Sequence, residues 1–138
     1  MNILVVGGGG REHAITASLA KSPLTTRLVV APGNPGIETF AECYPIAADD
    51  IAGQCKLAKD IKADIVFIGP EIPLVLGLKD ELSKLGISAF GPSKKAAQLE
   101  GSKTFSRNFC KRNNIPQPEF KYCTDIETAK KQIELLNG

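Results

Sequence analysis

The chain has 138 residues, 43% apolar and 23% charged, which suits an ordinary folded domain and excludes a disordered or fibrous polypeptide. A net charge of +2 is too small, and the basic residues too scattered, to point to nucleic acid or an acidic membrane surface. Cys43, Cys55, Cys110 and Cys123 form no C-x-x-C pair and only one histidine is present, so the composition offers no metal pattern; with no basic leader before the first apolar run, it predicts free thiols in a cytoplasmic protein.

Ile3-Leu4-Val5-Val6 is a short, continuous, β-branched apolar run and predicts a buried parallel strand. Gly7 to Gly10 follow, then a helix from Arg11 to Lys21 with Ile15 and Leu19 one turn apart. A second strand is predicted over Arg27–Ala31, ending in the turn cluster Pro32-Gly33-Asn34-Pro35-Gly36. Tyr44–Ala47 reads as a short third strand, weakened by Pro45. Asp50–Ile61 reads as a helix, Asp64–Ile68 as a strand, Leu74–Leu85 as a helix and Ile87–Phe90 as the last strand of this set. No apolar run approaches the roughly 18–20 residues of a membrane helix.

Beyond Ser93 the pattern changes. Lys94–Leu99 predicts a short helix, and Ser102 can cap another running to about Asn113. Pro116 and Pro118 keep the next stretch extended. Phe120–Cys123 reads as a strand, and Thr124-Asp125-Ile126-Glu127 as a capping box opening a last helix, closed by Asn137-Gly138. Strands alternating with helices of about ten residues imply an α/β fold with a doubly wound parallel sheet. Right-handed crossovers bring every strand's carboxyl end to one edge, where such sheets bind ligands. That edge collects Gly7–Gly10, Pro32–Gly36, Gly69–Pro73 and Gly91–Ser93.

The run Gly7-Gly8-Gly9-Gly10-Arg11-Glu12-His13 lies between strand and helix. Glycines allow close backbone approach and a helix start offers free N–H groups, so the natural guest is a phosphate; four glycines would be entropically costly for a turn alone. The dinucleotide fingerprint is not met: its third glycine would fall on Glu12 or His13, and no acid closes the second strand. Gly101-Ser102-Lys103-Thr104 echoes a P-loop only superficially, since the upstream glycine is replaced by Ala96. Arg11 is a phosphate partner or an exposed first-turn cation. Glu12 suits a helix start electrostatically, and a structural hydrogen bond accounts for His13. Glu71 can accept from sugar hydroxyls or an amine, or compensate a helix dipole; Asn34 can touch ligand or hold an Asx-turn.

In this order, GGGGREHAI, APGNPG, GPEIPLV and FGPSKKAAQLEGSKTFSRNF resemble the glycinamide ribonucleotide synthetases over positions 1 to about 120. The resemblance implies a Rossmann-like domain over residues 1–101, preceding the first helices of an ATP-grasp domain over residues 102–138. It implies an ATP-dependent ligase of purine biosynthesis acting on 5-phosphoribosylamine, glycine and ATP, with Mg2+ or Mn2+, and no nucleic-acid or membrane partner. By the same resemblance Gly8, Gly9, Gly10, Arg11 and Glu12 would cradle the ribose phosphate. Asn34, Gly36, Pro70 and Glu71 would line the sugar side, and Lys103 would reach ATP. The family's nucleotide lid and metal ligands lie further along its length. The 138 residues alone are therefore expected to lack ligase activity, or to work with a separate ATP-grasp chain. The alternative is a stand-alone module binding a nucleotide or phosphosugar.

Overall fold

The computed structural model describes residues 1–135, and the chain divides into two compact units, Met1–Gly101 and Ser102–Gly138. The first unit contains β1 (Asn2–Gly7), α1 (Gly10–Leu19), β2 (Arg27–Pro32), a 3-10 turn (Ile37–Thr39), β3 (Glu42–Cys43), α2 (Ile51–Asp60), β4 (Ile65–Ile68), α3 (Glu71–Leu76), α4 (Leu78–Lys84), β5 (Ser88–Phe90) and α5 (Lys94–Gly101). The second contains α6 (Lys103–Arg112) and α7 (Ile126–Leu135).

The five strands form one all-parallel sheet in the order β3-β2-β1-β4-β5. Strand β1 lies at its centre because its residues from Ile3 to Val6 are apolar on both faces, and all four are buried. Full burial of each such side chain is worth about 1.5–3 kcal/mol. Leu4 and Val6 face Leu57 and Ala58 of α2, Ile61 at its C-cap, and Leu74, Leu78 and Leu82 of α3 and α4. Ile3 and Val5 face the other way, with Leu28, Val30 and Ile37, against Ile15 and Leu19 of α1. Helices therefore cover both faces of the sheet, as a doubly wound fold requires.

Several predicted elements need correction. The third strand is Glu42–Cys43 and not Tyr44–Ala47; it pairs Val29 with Glu42 and Val30 with Cys43. The single helix expected over Leu74–Leu85 is two helices. The first opens at Glu71, with Pro73 in the first turn, where a missing N–H breaks no helical bond. Gly77 then adopts a left-handed conformation, φ +102°, and ends α3 before α4 begins. Helix α1 starts at Gly10, one residue early, and α5 runs on to Gly101.

In the second unit Ser102 caps α6 by accepting from the Phe105 N–H at 3.2 Å. Residues Phe120–Cys123 form no strand. Helix α7 is capped by Asp125, which accepts from the Thr128 N–H at 2.7 Å, so the cap lies one residue beyond Thr124. The expected terminal cap at Asn137-Gly138 lies outside the described residues.

Candidate functional site

Connections leave β1 toward β2 and α1 on one face, and reach β4 through α2 on the other. The carboxyl ends of β1 and β4 therefore flank the point where the winding reverses, which opens a crevice in folds of this type. Gly7 to Glu12 rise from β1 at this point, and Gly69 to Glu71 from β4.

Each glycine of the first loop answers a different demand. Gly7 has φ +120°, and a Cβ there would meet the Glu12 side chain at 2.7 Å and Pro70 at 2.9 Å. A Cβ on Gly8 would run into the Gly33 carbonyl oxygen, and one on Gly9 would lie 2.9 Å from Glu12 Oε2. Only Gly10 faces open space, with nothing within 4 Å of its would-be Cβ. Three of the four glycines are thus explained by the protein's own atoms. The entropic argument for a ligand narrows to Gly10.

The N–H groups divide in the same way. Gly9 donates to Glu12 Oε2 at 2.7 Å, so its amide is engaged within the loop. No partner among the described residues accepts from the N–H groups of Gly8, Gly10, Arg11 or Glu12. Those of Gly10, Arg11 and Glu12 belong to the first turn of α1, where aligned peptide dipoles favour an anion. Arg11 is exposed; its Nε donates to Glu12 Oε1 at 3.1 Å and its Nη2 lies 3.9 Å from Glu71 Oε2. Glu12 itself is only 3% exposed, so its carboxylate serves the loop interior.

Asn34 ties the second loop to the first. Its Nδ2 donates to the Gly8 carbonyl at 2.9 Å, while its Oδ1 accepts from Gly36 and Ile37 N–H at 2.8 and 3.0 Å. This is the Asx-turn geometry, made together with a bridge between loops. Gly36 is close-packed on His13, whose Cε1 would lie 2.8 Å from an added Cβ. The His13 ring also stands against Phe40 with centroids 5.7 Å apart. Packing holds this ring, where the sequence suggested a hydrogen bond; no side-chain hydrogen bond of His13 occurs among the described residues. Pro70 caps α3 from an extended conformation, and Glu71 is an exposed first-turn acid of that helix. Lys103 is the exposed first residue of α6, in the second unit.

Four residues contribute in ways the sequence reading did not assign. Gly33, at φ +76°, donates its N–H to the Gly7 carbonyl at 3.2 Å. Buried Gln54 of α2 donates through Nε2 toward the Ala31, Ile46 and Ala47 carbonyls at 3.4, 3.3 and 3.0 Å, which holds the loops after β2 and β3. Phe67 and Phe90, with ring centroids 5.6 Å apart, join Arg11, Ile15 and Gly69 in lining a cleft of about 340 Å³ beside the glycine loop. A buried glutamine on a helix carries no sequence signal, since nothing in the pattern distinguishes it from a solvated one. Among the described residues no group of three or more His, Cys, Asp or Glu could hold a metal ion, and no helix is long and apolar enough to cross a membrane.

Residues 1–100 match the family described as phosphoribosylglycinamide synthetase, N domain. The chain is 47% identical over 138 residues to the phosphoribosylamine–glycine ligase of Caulobacter vibrioides, covering 100% of this chain and 32% of that protein. It is 48% identical over 141 residues to the bifunctional purine biosynthetic protein purD of Dictyostelium discoideum, covering 99% of this chain and 17% of that one. The crystal structure of phosphoribosylamine–glycine ligase from Thermotoga maritima superposes with a TM-score of 0.72 at 28% identity, covering 98% of this chain and 30% of the other. The chain spans about a third or less of the length of these relatives.

Proposed function

Since this chain belongs to the phosphoribosylglycinamide synthetase N-domain family, we propose that it is the phosphosugar-holding end of a phosphoribosylamine–glycine ligase of purine biosynthesis. In that reaction the glycine carboxylate attacks the γ-phosphorus of ATP, forming glycyl phosphate and ADP. The amine of 5-phosphoribosylamine then attacks the acyl carbon, an amide bond forms, and inorganic phosphate leaves. The products are glycinamide ribonucleotide, ADP and phosphate.

The residues of this chain bind and orient the amine substrate. The 5-phosphate sits over Gly10, against the N–H groups of Gly8, Gly10 and Arg11, with the Arg11 guanidinium beside it. Gly9 and Glu12 shape the cradle from beneath. The sugar lies between the Asn34–Gly36 and Pro70–Glu71 loops. ATP, with Mg2+ or Mn2+ to neutralise its phosphates, is assigned chiefly to the family's remaining length, with Lys103 reaching toward it from an ATP-grasp portion that begins at Ser102. That portion and the phosphosugar domain over residues 1–101 divide the work. If the remainder is a separate polypeptide, that polypeptide is the partner. Small molecules are otherwise the ligands, with no nucleic acid or membrane, and the cytoplasm is the compartment.

The observation that carries this reading is Gly10, whose Cβ position is empty while the N–H groups of Gly8, Gly10 and Arg11 have no acceptor among the described residues. A methyl group there meets no protein atom within 4 Å, so Gly10→Ala should leave the unfolding free energy in urea unchanged or raise it by up to about 1 kcal/mol. It should weaken ribose 5-phosphate binding, followed by amide chemical shifts, by about tenfold or more, which is roughly 1.4 kcal/mol. Unaltered affinity in a stable Gly10→Ala chain would remove the phosphate from this loop. The 138 residues alone should release no phosphate from ATP in a glycine-dependent manner; release in a coupled phosphate assay would contradict the division of labour.

A further inference from the structure

The side chain of Glu12 is packed beneath the glycine loop. It fills the crevice between the ends of β1 and β4, since a Cβ added to Gly7, to Gly9 or to Gly69 would collide with its atoms. It is 3% exposed, and both carboxylate oxygens are in use. Oε2 accepts from the Gly9 N–H at 2.7 Å, and Oε1 accepts from Arg11 Nε at 3.1 Å. Arg11 is held by the inner nitrogen of its fork while most of its side chain, 60% exposed, remains outside. A guanidinium anchored at Nε turns its Nη1 and Nη2 edge outward, where the only neighbouring acid among the described residues is Glu71, with Oε2 at the long distance of 3.9 Å from Nη2.

We propose that Glu12 is a positioning residue: it does not touch the ligand, but fixes the direction of the Arg11 guanidinium and the Gly9 peptide so that a phosphomonoester meets a preset fork. This rests on the phosphosugar reading above. The buried carboxylate also keeps its own charge away from the incoming dianion, because Arg11 stands between it and solvent. A glutamine at position 12 has the same shape but only one accepting oxygen. It can serve Gly9 or Arg11 and must turn an NH2 group toward the other donor. With that oxygen kept on the Gly9 N–H, the shorter of the two bonds, the Arg11 anchor alone is lost while the loop volume is kept.

Two measurements on the 138-residue chain test this. The first is the Nε–H resonance of Arg11, which a hydrogen bond to a buried carboxylate protects from solvent exchange. In Glu12→Gln its exchange should quicken by about tenfold or more while the amides of β1, β2 and β4 keep their protection. The second is ribose 5-phosphate affinity in Glu12→Gln, Arg11→Gln and the double variant. Each single change should weaken binding by about tenfold, and the double should be no weaker than Arg11→Gln alone, because both act through one guanidinium. Additive losses, wild-type affinity in Glu12→Gln, or strand amides that lose protection together with Arg11 would each overturn the proposal. If the unaltered chain fails to bind ribose 5-phosphate, the phosphosugar reading fails, and the Arg11 exchange result still decides whether Glu12 aims the fork.

Discussion

Asn34 joins two loops through one side chain. It accepts twice from its own loop and donates once to Gly8, all three bonds being partly buried. An alanine leaves two N–H groups and one carbonyl without those partners. Asn34→Ala should therefore cost about 1–3 kcal/mol in chemical denaturation. An unchanged midpoint would show that the loops hold without it. At this scale the sequence was only half informative. That the glycine run needs glycine was legible, because no other residue tolerates such crowding and a φ of +120° at Gly7. Why each position needs it was not legible. The reasons lie in Gly33, Pro70 and the Glu12 side chain, two of which come from other strands' loops and are brought near only by the fold.

Among the elements, an ion pair spans the edge pairing of β2 with β3. Arg27 Nε and Nη2 donate to the two carboxylate oxygens of Glu42 at 3.0 and 2.7 Å, diagonally across the two strands. The guanidinium's hydrogen bonds hold the Glu42 carboxyl below its ordinary range. A carboxyl lowered by folding contributes stability that is present above the unfolded glutamate value and lost as pH falls through the folded one. Wild-type protein should thus lose more stability than Glu42→Gln on acidification from about pH 5 to pH 3, measured as urea midpoints at both values. Parallel loss in the two proteins would show that the pair contributes nothing, as many exposed pairs do. Strand β3 was misplaced because a strand of two residues, Glu42-Cys43, is too short to show an alternation for a pattern to catch. The break at Gly77 was missed for the opposite reason: Leu74, Leu78 and Leu82 keep an unbroken i, i+4 stripe across it, and all three are buried. The long apolar strands β1, β2 and β4 were legible because burial on both faces writes itself as a continuous run.

Across the whole molecule, burial is unevenly shared. Every residue of the two hydrophobic clusters lies in Met1–Gly101, whereas neither α6 nor α7 buries a residue among those described. Phe105, Ile115, Tyr122, Ile126, Ile133 and Leu135 all remain exposed. Helices of about ten residues without packing are marginal in water. Hydrogen exchange followed by mass spectrometry should therefore find Ser102–Leu135 exchanging well ahead of β1, β2 and β4 in this chain. Equal protection would mean that the second unit is stable by itself.

The order of the strands carries one more result. A sheet recruits foreign chain at its outermost strands, and here those are β3, two residues long and bearing Glu42, and β5, three residues long. The continuous apolar segment Ile3–Val6 is bonded on both sides by β2 and β4. Intermolecular strand exchange through this segment must therefore await the departure of a neighbour, so amyloid-type association by way of β1 is tied to unfolding of the sheet and not to crowding of the native form.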